Sequence, residues 1–196
     1  MGIDINPSKI EGHWTTGFAL DLHTISSTPA GYNEYGHMQF DTVRPPIAEC
    51  LFKLKNRGDK DAADPIIDAA VTFLKPKLKH SQLLVPVPPS SQRSLQPVLI
   101  LGEGIAKGLG IPFVPCITKT RATPQLKNVT DVAERKKLLE GLYDVEPGKT
   151  EGKKVLLFDD LYRSGATMNA VADVLLREGK AAAVYALTIT KTRSNQ

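Results

Sequence analysis

The alternation of apolar and polar positions changes character near residue 80. Before it, Trp14 to Leu22 and His37 to Phe40 are short, partly apolar runs separated by the Ser, Pro and Gly of Ser26 to Gly31, a pattern that predicts a hairpin or small sheet. Arg44-Pro45-Pro46 then opens a segment with Ile47, Leu51 and Leu54 at helical spacing, stopped by Gly58. A second helix is expected from about Ala62 to Lys75, where Ile66, Ile67, Ala70, Val71 and Leu74 form one apolar stripe ahead of Pro76.

Beyond residue 80, short apolar runs alternate with helical stretches, the rhythm of parallel strands joined by crossover helices. Leu83 to Val87 predicts a buried strand, Pro97 to Leu109 a helix closed by Gly110, and Phe113 to Ile117 the next strand. A polar, basic loop follows from Thr118 to Val129, and Asp131 with Glu134 has the spacing of a helix start, the helix reaching Leu139. Val155 to Phe158 is four apolar residues in a row, suited to a central strand buried on both faces. Met168, Val171, Ala172, Val174 and Leu175 mark a helix ending at Gly179, and Val184 to Thr190 returns as a strand. The expected fold is α/β, a Rossmann-like central parallel sheet flanked by helices. Residues 1–80 would form a small N-terminal hood of hairpin and helices packed on a core domain of 81–196.

Composition narrows the class without choosing a ligand. With 41% hydrophobic and 23% charged residues in 196, neither disorder nor a fibrous architecture competes. The net charge of +4 suits an anionic ligand, but the basic residues are spread along the chain, so nucleic acid is not needed to explain them. Cys50 and Cys116 lie far apart and outside any paired metal spacing, and the four histidines lack metal spacing too. Met1 to Ile10 lacks the pattern of a secretion signal and no window reaches the apolar length of a membrane span, so a cytoplasmic protein without membrane contact is expected. Gly102, Gly104 and Gly108 fall inside a predicted helix at a spacing one residue too long for a dinucleotide loop, and helix packing explains them better.

The chemistry begins where the strand Val155 to Phe158 ends, since ligands of open α/β sheets sit outside the carboxyl ends of strands. There the chain reads Asp159-Asp160-Leu161-Tyr162-Arg163-Ser164-Gly165-Ala166-Thr167. A helix N-terminus offers unpaired amides and positive partial charge, so Arg163 to Thr167 can cradle a phosphate with backbone donors and the hydroxyls of Ser164 and Thr167. Two adjacent carboxylates would repel an anion but accept hydrogen bonds from sugar hydroxyls. A phosphate held close to paired hydroxyls describes a ribose 5-phosphate.

These residues, Val155-Leu156-Leu157-Phe158-Asp159-Asp160 followed by Ser164-Gly165-Ala166-Thr167, resemble the signature with which type I phosphoribosyltransferases bind 5-phosphoribosyl-1-pyrophosphate (PRPP). The wider stretch through Leu84-Val85-Pro86-Val87-Pro88, Thr123-Pro124-Gln125 and Ala133-Glu134-Arg135 is similar to the ComF-like branch, and Leu54-Lys55-Asn56-Arg57-Gly58-Asp59 extends the similarity into the first half. Two features depart from that branch. The Arg-Gly-Phe-Asn-Gln often carried after the first Pro-x-Pro strand is replaced by Leu95-Gln96-Pro97-Val98 nearby, and Trp14 to Phe40 stands in place of a cysteine-rich zinc module.

The resemblance implies transfer of a phosphoribosyl group between PRPP and a nitrogenous acceptor with release of pyrophosphate. It implies Mg²⁺ entering with the PRPP, with Asp159 and Asp160 as further oxygen donors, and a homodimer as a common assembly. By the same similarity Asp159 and Asp160 would hold the ribose hydroxyls and act in catalysis, and Arg163, Ser164, Gly165, Ala166 and Thr167 would bind the 5-phosphate. Ser90 and Ser91 would occupy the pyrophosphate loop, and Lys119 and Arg121, on a loop that closes over the site in relatives, would stabilise the departing pyrophosphate. Two other readings use the same cradle: a non-catalytic PRPP or nucleotide sensor, and a ComF-like accessory of DNA metabolism.

Overall fold

The computed structural model describes residues 2–77, 81–89, 95–121 and 138–193. Its centre is a five-stranded sheet. In chain order the strands are β1 (Ser8–Lys9), β2 (Thr16–Leu22), β5 (Leu83–Pro86), β8 (Lys154–Tyr162) and β9 (Ala183–Lys191), lying side by side as β1-β2-β9-β8-β5. All neighbours pair in parallel except the short edge strand β1. Beyond β5, Phe113 adds a single parallel bridge to Leu84. Two ribbons lie outside this sheet: β3 (Ser26–Tyr32) with β4 (Met38–Val43), and β6 (Ile117–Lys119) with β7 (Tyr143–Val145).

Alternation along the strands builds two cores. Val155 and Leu157 of β8, with Val184 and Ala186 of β9, face helix α4 (Ala166–Arg177) through Met168, Val171, Ala172 and Leu175. Leu156, Phe158, Leu187 and Ile189 face the other way, onto α1 (Pro46–Phe52), α2 (Ala63–Leu74) and α3 (Pro97–Leu109). A strand buried on both sides has no polar positions to spare, hence the unbroken apolar run of β8. Helices α2 and α3 approach closely because α3 turns glycines toward its neighbour. A Cβ on Gly104 would come within 2.3 Å of Ile67, and one on Gly108 within 2.6 Å of Val71.

Helix α1 passes directly into a π-helical turn, Lys53–Arg57, which ends where Gly58 takes the left-handed conformation at φ 69°. Pro97 at the first turn of α3 and left-handed Gly110 beyond its end fix that helix at the positions the sequence predicts.

Three expectations are revised. Trp14 to Leu22 and His37 to Phe40 do not pair with each other: β2 joins the central sheet against β9, with Ala19 and Leu20 fully buried. The hairpin instead uses Ser26 to Tyr32, whose turn-like composition hides a strand, paired with Met38 to Val43. Phe113 to Ile117 is no continuous strand, because Pro115 has no N–H to give a ladder and the chain turns there, Cys116 N–H donating to the Val114 carbonyl at 2.9 Å. Most of the expected helix from Asp131 to Leu139 lies outside the described residues. No helix among the described residues is long and apolar enough to cross a membrane.

Candidate functional site

Strand β8 runs further than its apolar residues, and its ladder with β9 continues through Asp159↔Thr188 to Tyr162↔Lys191. The two carboxylates are therefore strand residues, delivered to opposite faces. Only Arg163, Ser164 and Gly165 separate the strand from α4. Gly165 is the helix N-cap at φ 73°, and a Cβ there would meet the Tyr162 ring at 2.7–3.0 Å, so both backbone and space require glycine. Around this turn lies an open cavity of about 320 Å³, lined by Asp159, Leu161, Tyr162, the segment Arg163 to Met168, and Thr192. The amides of the first turn of α4 and the hydroxyls of Ser164 and Thr167 belong to its wall.

Asp159 is half-buried, and its Oδ1 accepts the Asp160 amide at 2.8 Å. Burial, reinforced by the Asp160 carboxylate, pushes Asp159 up to about 8. From β7, Tyr143 reaches the same wall, its hydroxyl bonded with the Thr167 side chain, and burial followed by the nearby Asp159 charge raises it to about 12. Asp160 points to the other side, where Lys55 of the π-helical turn donates to its Oδ2 at 2.7 Å. The N-terminal segment closes one flank. Tyr162 donates to the Glu11 carbonyl at 2.9 Å, Trp14 packs edge-on to Tyr162 at 6.4 Å, and the His13 amide donates to Asn169 Oδ1 of α4 at 2.8 Å.

Comparison with known proteins bears on the fold. No family model matches the chain. Over 153 residues it is 30% identical to the Competence protein ComFC of Bacillus subtilis (strain 168), a stretch that is 77% of this chain and 62% of that protein. The chain is similar to ComFC and has the fold of the type I phosphoribosyltransferases. Two solved structures share the fold. Adenine phosphoribosyltransferase from Saccharomyces cerevisiae superposes at TM-score 0.51 with 17% identity, over 85% of this chain and 83% of that one. Glutamine PRPP amidotransferase from B. subtilis does so at TM-score 0.50 with 18% identity, over 80% of this chain and 34% of that one.

Within this type I phosphoribosyltransferase fold the expected site residues separate into groups. Asp159 and Arg163 to Thr167 line one cavity, whereas Asp160 stands beside it, engaged with Lys55. Ser90 and Ser91 lie outside the described residues. Lys119, half-buried and with its pKa lowered by that burial, donates to the Pro89 carbonyl at 3.1 Å, just past the carboxyl end of β5. Arg121 is turned away, its guanidinium donating to the carbonyls of Leu138, Glu140 and Gly141 at 2.7–3.4 Å. Sequence reasoning missed Tyr143 and Thr192 altogether, and nothing in their local pattern signals the site. Both arrive through pairings distant in the chain. Among the described residues, no three His, Cys, Asp or Glu side chains gather to hold a metal ion.

Proposed function

We propose that this protein binds PRPP as its Mg²⁺ complex in the cavity between β8 and α4 and transfers the phosphoribosyl group to a nitrogenous acceptor, releasing pyrophosphate. The reading rests on one observation: a cavity walled at one end by the start of α4 and its hydroxyls, and at the other by the half-buried Asp159. The first end suits a phosphate dianion. The second suits hydroxyl groups, because a carboxyl group keeps acceptor capacity beyond the one amide it binds and accepts or shares their protons.

In this proposal Arg163 to Thr167 hold the 5-phosphate, Asp159 takes the ribose hydroxyls, and Asp160 joins them once its bond to Lys55 adjusts. Lys119 faces the pyrophosphate at the end of β5, and Ser90, Ser91 and Arg121 are assigned to the same group. Mg²⁺ enters with the PRPP and draws its oxygens mainly from pyrophosphate and water, with Asp159 and Asp160 as further oxygen donors. The part of the N-terminal segment outside the central sheet, the β3–β4 ribbon with α1 and its π-helical turn, forms the hood under which the acceptor binds. The chemistry asks the protein to align reactants and to neutralise charge on the leaving group, with no covalent enzyme intermediate.

Calorimetric titration of Mg²⁺-PRPP into wild type and into Asp159→Asn and Thr167→Val variants tests the binding, and pyrophosphate release with a panel of nitrogenous bases tests the transfer. Binding to wild type that weakens in both variants supports the site. Absence of binding to wild type sinks it, and binding without release for any base leaves a sensor in place of an enzyme.

A further inference from the structure

The phosphate cavity uses one face of β8. The opposite face, around Asp160, carries groups that the cradle does not employ. His23 follows the end of β2 and Arg44 follows the end of β4. The hairpin brings these two feet together, with Ser26 paired to Val43 and the Ile25 amide donating to the Val43 carbonyl at 2.8 Å. His23 Nδ1 sits 3.0 Å from the Thr190 hydroxyl, which in turn lies 3.4 Å from the Asp160 carbonyl. Lys55 closes the circuit on the Asp160 carboxylate. Helix α1 adds a Phe52 ring with Arg44 stacked 4.2 Å and Arg57 5.6 Å from its centroid.

Charge does not balance on this floor. Lys55 pairs with Asp160 and Arg44 with Glu49 at 3.6 Å, and the exposed Arg57, over Phe52, and Arg163, at the edge, add further positive charge. Arg44 is mostly buried, and its Nε donor has no partner among the described residues. A buried guanidinium donor without an acceptor is costly unless something else supplies one. His23 is half-buried beside these cations; burial first, then Lys55, Arg44 and Arg163, lower its pKa, leaving a neutral ring that adds hydrogen bonding without charge.

We infer that the acceptor of the proposed transfer carries its own negative charge, a carboxylate or phosphate on the nitrogenous ring, and that His23, Arg44 and Lys55 hold it across Asp160 from the phosphate loop. The inference rests on the phosphoribosyltransferase reading and sharpens it. A planar anion meets a matching partner in the guanidinium fork of Arg44, and Lys55, already beside Asp160, places that anion next to the sugar.

Matched rings decide the question: uracil-6-carboxylate against uracil, and nicotinate against nicotinamide, titrated into the full chain with and without saturating Mg²⁺-PRPP. The anionic member of at least one pair should bind about tenfold tighter than the neutral one. Arg44→Gln and Lys55→Gln should each remove most of that preference, Arg44→Gln with PRPP affinity changed by less than about twofold, and Lys55→Arg should retain it. Thermal melts verify that each variant is folded. Equal binding of the paired rings, no binding of any anionic ring, or a preference unchanged in both charge-removing variants overturns the inference. A matching loss of PRPP affinity in Arg44→Gln also overturns it, because the floor would then serve PRPP's own phosphates. If wild type fails to bind PRPP, the parent reading falls; if PRPP binds and the rings do not differ, this inference falls alone.

Discussion

Asp159 and Asp160 share a peptide bond, yet β8 delivers them to opposite faces of the sheet and to opposite electrostatic surroundings. Asp159 enters a half-buried wall with Tyr143 and the start of α4, where no described cation touches it and burial drives it toward the neutral acid. Asp160 meets Lys55 at 2.7 Å and the basic floor beyond. A doublet of carboxylates on a strand is thus not a symmetric clamp. One side of β8 presents a group able to donate or accept a proton, and the other a fixed charge that organises cations. The lesson is that strand alternation, rather than residue identity, assigns different work to like neighbours.

The strongest way to break the comparison is to damage one side alone. Gly165→Val forces a β-branched residue into the left-handed region and drives its Cβ into the Tyr162 ring. We expect PRPP affinity to fall about a hundredfold, on the order of 2–3 kcal/mol, as the turn opens. The Asp160–Lys55 side should be untouched, so the anion preference of ring binding without PRPP should persist; calorimetry on both ligands checks this.

Next in size are the two carboxamide exchanges, whose effects should differ in sign. Asp160→Asn removes the partner of a Lys55 that is largely buried and should cost about 1–2 kcal/mol of stability. Asp159→Asn removes a group that burial disfavours in its charged form. The folded state holds the Asp159 proton up to about pH 8 while the unfolded chain releases it near the ordinary carboxylate value of 3.8. Between those values the native state binds more protons, so wild-type stability declines as pH rises through that window. The Asn variant lacks this slope and should gain on wild type from pH 5 to pH 8. Melting temperatures at the two pH values decide it, and a wild type whose carboxylate-dependent slope runs upward would refute the assignment.

The comparison also marks how far the sequence could be read. Pro97, Gly110 and the apolar run Val155 to Phe158 announce their elements because each signal is local: a missing donor, a left-handed cap, a strand with no polar face. The turn from β8 into α4 is legible for the same reason, Gly165 taking the left-handed conformation there. The continuation of β8 through Asp160 is not, since two acidic residues look like a turn until β9 supplies a ladder as far as Lys191. Nor does Ser26 to Gly31 look like a strand, its pairing to β4 being exposed and free of any burial pattern. Lys55 and Arg57 fit the last turn of a helix equally well for dipole reasons, and only the π-helical turn brings Lys55 to Asp160.

Tyr143 carries the finest distinction between the two sides, and the smallest expected effect. It stands opposite Lys119 in the β6–β7 ribbon, so one short ribbon touches both ends of the proposed substrate, Thr167 at the phosphate and Pro89 at the end of β5. Tyr143→Phe keeps the buried ring and removes only the hydroxyl that holds Thr167. The net value of one such bond is about 1 kcal/mol, so PRPP should bind roughly fivefold more weakly with the melting temperature little changed. Because the lost hydroxyl orients a phosphate donor and touches nothing on the Asp160 side, the anionic ring titrated without PRPP should bind as it does to wild type. An equal weakening of both ligands would mean that the ribbon supports the whole carboxyl edge of the sheet instead of the phosphate end.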